Sequence, residues 1–145
     1  MVLEIYGSGD YEEELRSICS KNENIKYYGF VPNEEAVRAQ READFLINAR
    51  SATDEYVKYS FPSKTLEYML SGTPLITTML PGIPDEYREH IIVLEDNSPK
   101  TICEALSVAN CLDDYHKEKL GFGALEFAKT KSFQQQGTKI AEFIL

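Results

Sequence analysis

At 145 residues, with 15 basic and 24 acidic side chains, the chain is long enough for one hydrophobic core and carries a formal net charge of −9. That acidic excess argues against DNA or RNA as a partner and against broad adhesion to anionic lipid. Cys19, Cys103 and Cys111 form no C-x-x-C pair, so they read as free thiols of a reducing compartment, packed as small apolar side chains. No signal peptide is visible and no apolar run approaches the roughly 18 residues of a membrane span, so the expected setting is the cytoplasm.

Val2 to Tyr6 predicts a first strand, closed by Gly7-Ser8-Gly9. A helix follows, with Asp10 as its N-cap, Glu12 to Glu14 in its first turn and Leu15, Ile18 and Cys19 facing inward. Ile25 to Tyr28 is a second strand, leading into Gly29-Phe30-Val31-Pro32 and a helix over 33–41. Asp44 to Asn48 predicts a strand buried on both faces. Ala49 to Tyr59 is one long irregular segment, a length often associated with binding elements.

Ser60 to Gly72 reads as one helix and its boundaries. Pro62 is tolerated only in a first turn, Gly72 supplies a left-handed stop, and Pro74 prevents the helix from resuming. Ser60, Ser63 or Lys64, Glu67 and Ser71 share one face, and Leu66, Met69 and Leu70 another. Such a polar stripe fits either a solvated surface or a helix offering its positive end to a phosphate and a carboxylate to a sugar hydroxyl.

Strands at 74–78 and 91–94 follow, separated by Pro81-Gly82-Ile83-Pro84 and a short acidic helix at 85–88. Helices are expected at 99–109 and 113–129, with a last one entered through a Ser132/Gln135 capping box. Strands alternating with helices predict an α/β fold, a doubly wound parallel sheet with helices on both faces. No internal linker is visible, so residues 1–145 are read as a single domain.

The glycine turn at residues 7–9 is not a dinucleotide fingerprint, because Glu12 stands where its third glycine belongs. There is no P-loop. His90 and His116 lack metal-ligand spacing, so no metal site is expected and both are read as surface residues. No histidine base accompanies Ser60, Ser63 or Ser71, which leaves a serine hydrolase without support. What survives is a constellation at the carboxyl ends of the strands, where open parallel sheets bind ligands.

FPSKTLEYMLSGTPLITT, preceded by ADFLINAR and YYGFVP, resembles the carboxyl-terminal half of retaining GT-B glycosyltransferases of the group 1, or family 4, type. The resemblance runs from LEIYGSGD to the last helix. It implies a Rossmann-like half with about five strands in the order 2-1-3-4-5. It also implies that Glu67 hydrogen-bonds the ribose of a nucleotide sugar, that the amides of Ser63 and Lys64 hold the diphosphate, and that Gly29, Phe30 and Val31 lie against the base. Gly7 and Gly9 join the donor-binding set. The family's paired glutamates are separated by seven residues, and that spacing from Glu67 lands on Tyr59. Glu55 is therefore the candidate catalytic residue, contacting the donor sugar. Tyr6, Tyr27, Tyr28, Tyr56 and Tyr59 are candidates to stack on the base.

The expected function is the donor-binding half of a retaining glycosyltransferase for surface polysaccharide or glycoconjugate synthesis. The nucleoside-diphosphate sugar is a substrate, and no cofactor is expected. The family's amino-terminal acceptor domain and its phosphate-binding Arg/Lys pair have no counterpart here. A fragment of a longer two-domain enzyme, inactive in isolation, or a subunit needing a partner is expected. The full-length protein could attach peripherally to the inner membrane. A non-catalytic subunit of a split transferase and a nucleotide-sugar epimerase half are the alternatives.

Overall fold

A computed structural model describes residues 1–53, 55–59 and 61–144. Ser60, placed on the polar stripe from sequence, lies outside them, as does the side chain of Tyr56. The chain divides into two compact units, Met1–Ala39 and Gln40–Leu145.

In the first unit, β1 (Leu3–Tyr6) pairs in parallel with β2 (Ile25–Gly29) across α1 (Glu12–Cys19). The register shifts between Ile5 and Tyr6, so that Tyr6 stands opposite Gly29. Gly29 (φ 73°) and Gly7 (φ 131°) make that irregularity possible, because side-chain-bearing residues resist such angles. The Gly7 amide donates to the Gly29 carbonyl at 2.8 Å, and the Tyr27 hydroxyl donates to the Gly7 carbonyl at 2.7 Å.

Two sequence expectations for α1 are corrected. Tyr11, not Asp10, occupies the N-cap, and no side chain caps the helix. Of the predicted inward stripe, Leu15 and Cys19 are half-buried while Ile18 is exposed. α2 (Asn33–Glu42) begins in the first unit and ends in the second.

The second unit holds β3 (Leu46–Asn48), β4 (Leu75–Thr78) and β5 (Ile92–Leu94) as a parallel ladder in the order β3-β4-β5. The strands thus form two parallel ladders, β1-β2 and β3-β4-β5, where the sequence predicted one sheet in the order 2-1-3-4-5. β4 is buried along its whole length. Leu75 joins a cluster with Met69, Leu80, Ile83, Tyr87 and Ala124, contributed by α3 (Ser63–Leu70), the segment that follows β4, a 3-10 turn at Asp85–His90 and α5 (Asp114–Lys129). Ile76, the next residue, joins Leu94, Ala105 and Ala109, the last two on α4 (Pro99–Asn110). Successive strand residues point to opposite faces, so this ladder is covered by helices on both. Layered α/β packing predicted from the strand–helix alternation is therefore present.

Ser98 caps α4 by accepting from the Thr101 amide, and Asp113 caps α5 by accepting from the His116 amide. α6 (Phe133–Ile144) begins where Ser132 Oγ accepts from the Gln135 amide at 3.4 Å. Among the described residues no helix is long and apolar enough to cross a membrane.

Cys103 and Cys111 are exposed, against the expectation that all three thiols are packed; Cys19 alone is half-buried. His90 is also not a plain surface residue, since its ring stacks on Phe127 at 4.3 Å between centroids.

Candidate functional site

The focal helix is α3. Pro62 takes an extended conformation (φ −75°, ψ 102°) as its N-cap, one position before the helix rather than inside its first turn. It supplies neither an N–H nor a capping side chain. The first amides of the helix, on Ser63 and Lys64, have no acceptor within it, whereas the Thr65 amide is taken by the Pro62 carbonyl at 2.9 Å. Ser63 and Lys64 are exposed residues, and their amides stand at the positive end of the helix dipole.

One turn on, Glu67 is half-buried and doubly held. Lys64 Nζ and Gln40 Nε2 each donate to Glu67 Oε1 at 2.9 Å. Burial by itself raises the Glu67 carboxyl, but the bonds from Lys64 and Gln40 and the Lys64 charge outweigh it. The net result lies below the ordinary carboxylate value, which keeps Glu67 ionised. An ionised carboxylate only accepts hydrogen bonds, as recognition of hydroxyls requires.

The other face of α3 differs from expectation. Thr65 and Met69 are fully buried, and Leu70 is exposed. Ser71 ends the stripe without sharing its chemistry: its hydroxyl turns back to the Tyr68 carbonyl at 2.6 Å, closing the helix. Gly72 (φ 80°) is the left-handed stop that its sequence context predicted.

Beneath this helix, the carboxyl ends of β3 and β4 are joined by Thr77 Oγ1 donating to the Asn48 carbonyl at 3.1 Å. The Arg50 amide donates to Thr78 Oγ1 at 3.2 Å. Two buried polar atoms in this region, Asn48 Nδ2 and Thr65 Oγ1, have no hydrogen-bond partner among the described residues. Sequence reasoning missed Gln40, Asn48, Thr65, Thr77 and Thr78. Only the last two carried a signal, as hydroxyl residues ending an apolar strand.

Glu55 opens a 3-10 turn (Glu55–Lys58) within the long segment, and its side chain is exposed. The prediction of a wholly irregular segment is corrected at this turn, which Val57 anchors by being buried in the core.

Gly7, Gly9, Gly29, Phe30 and Val31 belong to the first unit. Gly9 accepts from the Glu12 amide at 3.2 Å to lead into α1. Phe30 is 80% exposed, Val31 is half-buried and Gly29 is buried. Of the tyrosines proposed for stacking, Tyr6 and Tyr28 already stack on one another, with centroids 4.7 Å apart. Tyr59 is 85% exposed. A surface cavity of about 480 Å³ lies at the opposite, carboxyl end of α3, lined by Gly72, Tyr115, Glu118, Lys119, Phe122 and Leu125. It shares no residue with the donor-site set.

Comparison with known proteins bears on this arrangement. The chain resembles Anabaena HepE, solved in complex with UDP and glucose, with a TM-score of 0.69 at 17% identity over 99% of this chain and 40% of that one. It also resembles WaaG, a glycosyltransferase involved in lipopolysaccharide biosynthesis, with a TM-score of 0.68 at 18% identity over 99% of this chain and 38% of that one. For AviGT4, a glycosyltransferase involved in avilamycin A biosynthesis, the TM-score is 0.59 at 15% identity, over 93% and 42% of the respective chains. The chain thus spans well under half the length of these structures, and the likeness establishes the GT-B, Rossmann-like fold. No curated protein sequence matches. The family model described as "Glycosyl transferases group 1" matches residues 1–110, and the chain belongs to that family.

Proposed function

We propose that this chain is the donor-binding half of a retaining glycosyltransferase, taking a nucleoside-diphosphate sugar for surface polysaccharide or glycoconjugate synthesis. The observation that carries the reading is the pairing on α3 of two amino-terminal amides that have no acceptor within the helix with a half-buried carboxylate one turn away, held below its ordinary value. In this reading the amides of Ser63 and Lys64 meet the diphosphate and Glu67 accepts from the ribose hydroxyls. Gly29, Phe30 and Val31 lie against the base, with Gly7 and Gly9 in the donor-binding set. Glu55 contacts the donor sugar. HepE, of similar fold, has been solved with UDP and glucose and with UDP-glucose, which makes a uridine nucleotide the first probe.

In the whole enzyme, the bond between the sugar's anomeric carbon and the diphosphate oxygen breaks as the acceptor hydroxyl forms the new one, with retention. Negative charge grows on the departing diphosphate. The helix dipole, two amides and the Lys64 ammonium stabilise that charge without a metal or cofactor. The acceptor-binding domain is supplied by another part of the protein or by a partner subunit. The 145-residue chain therefore binds donor without turning it over. The protein works in the cytoplasm or peripherally at the inner membrane.

Calorimetric titration with UDP is the test. Glu67→Ala is expected to weaken binding about tenfold or more, the loss of hydrogen bonds to a charged acceptor. Equal affinity of the wild type and the variant removes Glu67 from the site.

A further inference from the structure

We infer that Gln40 is a positioning residue for Glu67, fixing one carboxylate oxygen so that the other presents itself to the vicinal hydroxyls of a nucleotide ribose. The inference rests on the donor-site reading above.

Both donors to Glu67 converge on Oε1, and among the described residues none reaches Oε2. A carboxylate oxygen accepts two hydrogen bonds, and a ribose 2′,3′-diol offers two O–H groups. The two donors differ in what a diphosphate does to them. Lys64 sits in the first turn of α3, where an incoming phosphate draws its ammonium away from Glu67. The neutral Gln40 amide feels no such pull. It remains the group that holds the carboxylate when the site fills.

Gln40 is itself fixed at its backbone. Thr73 Oγ1 donates to the Gln40 carbonyl at 2.7 Å, and Thr73 is only 4% exposed. The Thr73 amide donates to Ser71 Oγ at 3.1 Å, and Ser71 Oγ donates to the Tyr68 carbonyl at 2.6 Å. One residue of α2 is thus tied at its main chain to the segment closing α3, and at its side chain to the carboxylate on that helix. A link anchored at both ends leaves Glu67 few rotamers to choose from. Preorganisation of this kind favours binding by removing an ordering cost.

The test compares UDP with 2′-deoxy-UDP on the 145-residue chain, in wild type, Q40M, T73V, T73S and Glu67→Ala, together with an NMR titration of the Glu67 side-chain carboxyl. Methionine keeps the length of Gln40 and removes its donors. We expect wild type to prefer UDP and Glu67→Ala to lose that preference. Q40M should reduce it about fivefold, with the Glu67 midpoint moving upward, because a bond that favours the ionised form is gone. T73V should follow Q40M in part, and T73S, which keeps the hydroxyl, should restore the wild-type ratio. Equal wild-type affinity for the two nucleotides overturns the ribose reading and this inference together. A preference that vanishes in Glu67→Ala but persists undiminished in Q40M overturns the inference alone. So does a diminished preference with an unmoved Glu67 midpoint, which marks a merely structural role for Gln40.

Discussion

Gly121 of α5 packs directly against the carbonyl of Gly72, the residue that stops α3. A β-carbon at Gly121 would fall far inside contact distance of that oxygen, and 3.2 Å from Cδ of Pro74. Both obstacles are rigid, one a backbone carbonyl and the other a proline ring. Gly121→Ala should therefore destabilise the protein by about 1–3 kcal/mol through overpacking, despite alanine's better helix propensity. Gly123, on the same helix, is the control: its β-carbon would meet only His90 Nδ1, at an ordinary 3.8 Å. Gly123→Ala should stabilise by up to about 1 kcal/mol. Urea midpoints of the two variants, moving in opposite directions, check the pair.

Thr65 is fully buried, and its hydroxyl has no partner among the described residues. Burying an unpaired hydroxyl costs about 1–3 kcal/mol, and valine keeps the β-branched shape. Thr65→Val should raise the melting temperature, with a gain on the order of 1 kcal/mol. A lower melting temperature would show that the hydroxyl is satisfied in solution.

In the first unit, Glu4 accepts from both members of the stacked tyrosine pair: from Tyr6 at 3.1 Å and Tyr28 at 2.9 Å. Burial, then the hydrogen bond and charge of Glu4, push the Tyr6 phenol from 10.0 up to about 12. Tyr28 is raised as well, chiefly by its bond to Glu4. The folded value of Tyr6 lies above the unfolded one. Its contribution to stability is therefore complete below pH 10 and is lost as pH rises toward 12. Glu4→Gln should lower the alkaline midpoints of both phenols, read from tyrosinate absorbance. The Tyr6 midpoint should stay above that of an exposed tyrosine, because its burial persists.

Much of the architecture was legible because it depends on local chemistry. Pro62 and Gly72 bracket α3 through restrictions each carries in any context. Alternating apolar runs mark the other elements nearly to the residue, and Ser132 opens the last helix as its pairing with Gln135 predicted. Facing was less legible. The spacing of Ile18 and Leu70 identifies a helical side but not where its neighbour stands, and both proved exposed. Small size alone did not bury Cys103 and Cys111. Within the site, Ser63, Lys64 and Glu67 were readable because they lie within one turn of each other. Gln40 was not, since its link to Glu67 spans 27 positions in the chain. Only folding brings that pair together.

Among the described residues, the buried apolar side chains all fall between Val57 and Ala128, and none belongs to the first 39 residues. Anchorage is therefore unequal along the chain. The β4-centred unit resists opening, while the backbone around Gly29 and Phe30 is held mostly by main-chain bonds that water can compete for. Amides there should exchange their hydrogens sooner than those of β4. A nucleotide base that settled on that loop would rest on soft ground and give it more rigidity than it finds.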